Sequence, residues 1–206
     1  MPSMSQAKTL GEVGSILVVL TAIPSIGGLL GIAGFILILL AIKDISEVVA
    51  DKSIYHNMLV SIVFAIAGVI IGTLVVVGSV FRFIGLASLT GPNYFGSSFN
   101  PSTIPTGDWI GFIMSIIVGL TVIWVMMIVS AFFVRKSYNA IASKLNIGMF
   151  GTAGLVYLIG AATTIILVGF VILFIAQILL IVAFFSIDDR TPVISTQPIQ
   201  PTTVNP

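Results

Sequence analysis

Residues 10–42, LGEVGSILVVLTAIPSIGGLLGIAGFILILLAI, decide the fold. After Glu12 the stretch carries no charge until Lys43. A run of roughly 20 apolar residues can carry a helix across the hydrocarbon of a bilayer. One helix over residues 13–42 would be about 45 Å long, well past the ~30 Å core. The run is interrupted by Ile23-Pro24-Ser25-Ile26-Gly27-Gly28. Proline removes a backbone donor and pushes the preceding residue out of the helical region, and paired glycines admit unusual backbone angles. The stretch reads as a helical hairpin, residues 5–23 going in and 25–42 returning, each arm about 27 Å long.

Composition sets the class. Of 206 residues, 58% are hydrophobic and 7% charged, and mean hydropathy is +1.23. A soluble domain carries about 25% charged residues, so this chain lacks the polar surface to coat a water-facing particle. It is expected to be a multi-pass membrane protein whose first partner is the lipid bilayer. The net charge of +1 comes from basic residues spread along the chain, which argues against a nucleic-acid partner. With no cysteine, disulfides, thiolate metal sites and cysteine nucleophiles are excluded. Lys8 and the following apolar run raise the question of a signal peptide. Glu12 falls where its apolar core should begin, and a second apolar segment follows at once, so a retained first helix is expected.

The hairpin is followed by KDISEVVADKS, residues 43–53, the most charged segment of the chain. Ile42, Ile45 and Val49 recur at helical spacing and Lys43 with Glu47 makes an i,i+4 pair, so the second helix should run on into the interface. A third helix is expected over residues 54–81, ending at Arg82. Residues 85–107, rich in Gly, Pro, Ser, Thr and Asn, read as a loop. Asp108 can cap a fourth helix over residues 109–134, with Trp109 at the interface and a basic connector at 135–146. Residues 147–187 would make a helix of about 60 Å, too long for a bilayer, so a reversal is expected between 160 and 169.

The expected fold class is therefore all-α, a polytopic transmembrane helix bundle of six spans, with four long kinked spans as the alternative. Residues 1–187 form a single domain, and 188–206 a disordered Pro/Thr-rich tail. Six spans with both termini cytoplasmic place Lys8, Lys43, Lys52, Arg135, Lys136, Lys144 and Arg190 inside and Arg82 alone outside. Four spans give a less one-sided distribution, so the positive-inside rule favours six. Segments 10–46 and 150–187 echo each other, with Gly11 and Gly14 aligning on Gly151 and Gly154. A repeat and chance similarity both account for this.

Few residues offer chemistry. His56 is the sole histidine, which rules out an HExxH metal site, and neither a G-x-S-x-G elbow nor a phosphate-binding loop occurs. No enzyme activity, cofactor or metal is expected. Lys8, Glu12 and Gln177 are the candidates for a proton or ion site, because ionisable groups inside a span are costly and usually functional. The plainer reading makes Lys8–Glu12 an interfacial ion pair and Gln177 a bond between helices. Helix packing is expected through Gly27-x-x-x-Gly31, Gly68-x-x-x-Gly72 and the stripe Gly107, Gly111, Ser115 and Gly119, since small residues let backbones approach. Leucine at Gly111 or Ser115 is expected to force helices apart.

Ser5-Gln6-Ala7-Lys8-Thr9-Leu10-Gly11, the Ile23-Pro24 break, Ile42-Lys43-Asp44-Ile45-Ser46 and the closing Ala183-Phe184-Phe185-Ser186-Ile187 together resemble an uncharacterised prokaryotic, largely archaeal, membrane family, domain of unknown function nine-nine-six. The resemblance covers about residues 5–187. It implies a prokaryotic plasma membrane and carries no known activity, substrate or site residue. Two functions remain open. One is a non-enzymatic scaffold or accessory subunit, as a homo-oligomer or in a membrane protein complex. The other is a small transporter or channel for a proton, ion or small solute.

Overall fold

The computed structural model describes residues 3–84 and 106–188. Among these the chain forms six α-helices and no strand: α1 (Met4–Val19), α2 (Gly27–Val48), α3 (Lys52–Ile84), α4 (Thr106–Leu145), α5 (Gly148–Thr163) and α6 (Val168–Phe185). The five from α2 to α6 are long and apolar enough to cross a membrane. At 16 residues α1 is shorter, about 24 Å. Both double-length apolar runs reverse, so the helices are six and not four.

The reversals have different causes. Ser3 starts α1, its side chain accepting the Gln6 N–H at 3.1 Å. After the 3₁₀ turn Leu20–Ala22 the chain meets Pro24, and Ile23 before it is extended (ψ 119°). Ser25 then takes a positive φ of 74° and α2 begins. The α5–α6 reversal has no proline. A 3₁₀ turn at Thr164–Ile166 leads to Leu167 in the left-handed conformation (φ 61°). Gly169 permits this sharp return, because a side chain there would strike the Thr164 and Gly160 backbone.

Neighbouring helices pack in sequence, and α6 closes on α1, so three hairpins (α1–α2, α3–α4, α5–α6) make a ring. The core lies at one end of it, here called the base. Met4 and Ala7 of α1, Ile38, Ala41, Ile42 and Ile45 of α2, and Ile54 and Met58 of α3 are buried there. Val134, Tyr138 and Ile141 of α4, Phe150 and Ala153 of α5, and Leu180, Ala183 and Phe184 of α6 complete it. Phe150 meets Phe184 edge-on at 5.1 Å, and Phe184 seats on Gly11. At the opposite end, the top, Leu29, Leu74 and Leu167 are 77%, 67% and 73% exposed. Such exposure is costly in water and natural against lipid tails.

Two expectations need correction. Residues 135–145 are no separate connector: they form the last turns of α4, because Tyr138 and Ile141 are buried in the base and Ser137 Oγ donates to the Ile54 carbonyl at 2.8 Å. Burial of one face holds the segment helical. Second, α4 starts at Thr106, earlier than the expected start at Trp109, so Asp108 lies within the helix. The expected loop falls outside the described residues as far as 105, as does the tail from 189 onward.

Candidate functional site

The base carries several polar side chains that act between helices. The α2–α3 turn is built by its own backbone. Ala50 takes φ 53°, its N–H reaches the Glu47 carbonyl and the Asp51 N–H reaches that of Ser46, the paired bonds that close a helix in a left-handed cap. The α4–α5 turn repeats the device with Asn146 at φ 55° and Ile147 N–H on the Ala142 carbonyl. Asp51 then caps α3, its Oδ1 accepting from the Ser53 N–H at 3.0 Å and the Ser53 hydroxyl at 2.6 Å. Those two bonds, the hydroxyl's first, together with the Lys144 ammonium 3.8 Å away, hold the Asp51 carboxyl below its ordinary 3.8.

Beside this turn a cleft of about 340 Å³ opens between α2 and α3, lined by Lys43, Ser46, Glu47, Lys52, Tyr55, His56 and Leu59. Lys43 and Glu47 face each other at 3.8 Å. Lys52 and His56 stand one turn apart on α3, and among the described residues neither has a carboxylate partner. Asp51 is turned away from them, toward Ser53 and Lys144. The rim is polar and the inner wall ends on exposed Leu59. Next to Lys43, Asp44 Oδ2 is buried with no hydrogen-bond partner among the described residues.

The other candidates lie apart from this cleft. Gly11 sits on Phe184, so Glu12 stands at the level of the base core. Gln177, seven residues earlier in α6, is about 10 Å higher. The Gln177 Nε2 is buried with no hydrogen-bond partner among the described residues.

The small residues divide. Gly72 and Gly119 meet across α3 and α4, and Gly68 seats Met126. Gly27 and Gly31 pack against Thr21, closing their own hairpin. A side chain added at Gly107 or Gly111 would meet nothing within 4 Å, and Ser115 Oγ donates to the Gly111 carbonyl of its own helix. Within the stripe on α4, Gly119 is the glycine that meets α3, while Gly107 and Gly111 face open space.

Sequence reasoning missed several positions. Gly14 and Gly34 form the tightest α1–α2 approach, and Gly160 plays that part against Leu173 of α6. Gly14 aligns with Gly154 in the suspected repeat, yet Gly14 faces α2 whereas Gly154 faces Arg135 and Tyr138 of α4. Ser61 and Ser130, whose hydroxyls bond across α3 and α4 at 3.0 Å, were also missed. A serine in an apolar run on each of two adjoining helices was the available signal.

The family model described as Protein of unknown function (DUF996) matches residues 30–178. The chain is 31% identical over 186 residues to "Uncharacterized protein MJ1644" of Methanocaldococcus jannaschii, covering 90% of this chain and 94% of that one. No solved structure matches.

Proposed function

The chain belongs to the DUF996 family of proteins of unknown function, and from that premise we propose a non-enzymatic scaffold or accessory subunit of the plasma membrane, packing against partner proteins or copies of itself. One observation carries this reading: the buried serine hydroxyls are all engaged, either within a helix or with the neighbouring helix. Among the described residues these are Ser15, Ser46, Ser61, Ser130 and Ser137. Ser15 donates to the Glu12 carbonyl, Ser46 to that of Asp51 and Ser137 to that of Ile54, while Ser61 and Ser130 bond each other. A permeation path needs several polar or ionisable groups turned toward a shared lumen. Glu12 and Gln177, at different heights, do not supply one. The positive-inside rule supports a base that faces the cytoplasm.

The test is ion and proton flux in liposomes containing the parent or Glu12→Gln, alongside native mass measurement of the gently purified protein. A scaffold gives no flux in either and a mass that reports a partner or a second copy. Flux through the parent that Glu12→Gln abolishes, with folding retained, replaces the scaffold with a transporter.

A further inference from the structure

We propose that the α2–α3 cleft is a binding site for an anionic membrane lipid, its phosphate held by Lys52, His56 and Lys43 and its acyl chains laid along the apolar groove above Leu59. The chemistry begins with a charge imbalance. Lys52 and His56 project from one face of α3 at i,i+4 spacing, so that an ammonium and an imidazole can both donate to one anion. Of the neighbouring carboxylates, Asp51 is engaged by Ser53 and Lys144, Glu47 pairs with Lys43, and Asp44 has its Oδ2 buried in the protein. The phenol of Tyr55 adds a donor.

The walls indicate a lipid as the source of the anion. Above the cleft, α2 is drawn to α1 at Gly14 and Gly34, and α3 to α4 at Gly68 and Gly72. The two helices of the cleft thus belong to different hairpins and leave a furrow between them. Leu40 and Phe35 on α2, and Leu59, Val63 and Ile66 on α3, are exposed. A soluble phosphate would use the charged rim alone. A phospholipid uses rim and furrow together, and basic pockets between helices on the cytoplasmic side suit such headgroups.

The experiment titrates the full-length protein in detergent with phosphatidylglycerol, phosphatidylcholine or inorganic phosphate, following Tm and lipid adducts by native mass spectrometry. Phosphatidylglycerol is expected to raise Tm and remain bound, while phosphatidylcholine and phosphate do neither. Lys52→Gln and His56→Gln lie on the surface and leave the fold intact, and each should weaken retention about fivefold. Glu47→Gln frees Lys43 and removes the opposing charge, so it should strengthen retention by a similar factor of about five. Lys136→Gln, outside the cleft, is the control and should change nothing. Equal stabilisation by phosphatidylcholine, or indifference to both α3 substitutions, overturns the proposal. Inorganic phosphate acting as well as the lipid also overturns it, in favour of a soluble anion.

Discussion

The base and the top of the bundle both rest on apolar helices and hold together differently. At the base, side chains from six helices interlock around Phe150 and Phe184, and serines bond from one helix to the next. At the top, apolar side chains point outward, and hydroxyls such as Thr121 and Thr163 bond carbonyls of their own helix. What joins helices away from the base is close approach at glycine, as at Gly72 and Gly119, and the Trp124 indole on the Ala162 carbonyl at 3.2 Å. The difference follows from the solvent. Lipid tails are as apolar as leucine, so burial there drives nothing and contact must come from packing. Near water, burying apolar surface is itself favourable.

Removing a large side chain should separate the two ends most clearly. Phe184 is fully buried on Gly11 and Phe150, so Phe184→Ala should cost about 3–5 kcal/mol, read by thermal or denaturant unfolding in detergent. Phe170→Ala, at an exposed ring near the top, should fall within about 0.5 kcal/mol of the parent. Equal losses at both sites contradict the division.

Adding a side chain sharpens the contrast at glycine. Gly14→Leu drives a branched side chain into the Gly34 carbonyl and the Ile38 amide and should cost about 1–3 kcal/mol or more. Gly111→Leu enters open space and should leave Tm nearly unchanged. A large loss at Gly111 means that the upper part of α4 packs against something after all.

Smaller effects concern the basal turn. Asp51→Ala removes the cap of α3 and should cost about 1 kcal/mol. The Asp51 carboxyl titrates lower in the folded chain than in the unfolded one, so its contribution is present at neutral pH. It disappears as pH falls below about 4 and through the depressed value. Parent and Asp51→Ala should therefore converge in Tm as acid is added. Divergence on acidification contradicts the cap.

Ala50 holds a left-handed backbone where glycine is the usual choice. Ala50→Gly relieves a cost of about 1 kcal/mol and returns part of it as added freedom of the unfolded chain, for a small net rise in Tm. A fall in Tm there would falsify the strain assigned to this turn.

Much of the fold was legible in the chain. Pro24 between two apolar runs marks a turn, because no other residue both lacks an N–H and constrains its predecessor. The second reversal was foreseen from length alone, as no bilayer accommodates residues 147–187 in one helix. The observed turn lies inside the expected window 160–169, but the residue that makes it, Leu167, was not legible, since leucine carries no turn signal. The basic segment 135–146 misled for a related reason. Its charges announced a boundary, while the two residues that keep it helical, Tyr138 and Ile141, make sense only beside Phe150 and Ile54.

By itself the sequence determined the class of the molecule, an all-helical chain whose apolar runs are matched to a bilayer, because span length and charge content are properties of the chain read one residue at a time. Which glycines join helices, which serines pair and where a basic cleft opens were decided by the tertiary structure. Glycine and serine carry no side chain large enough to impose a partner, so their neighbours depend on how the three hairpins meet. Lys52 and His56 likewise gain their meaning from Lys43, which only the α2–α3 turn brings alongside them.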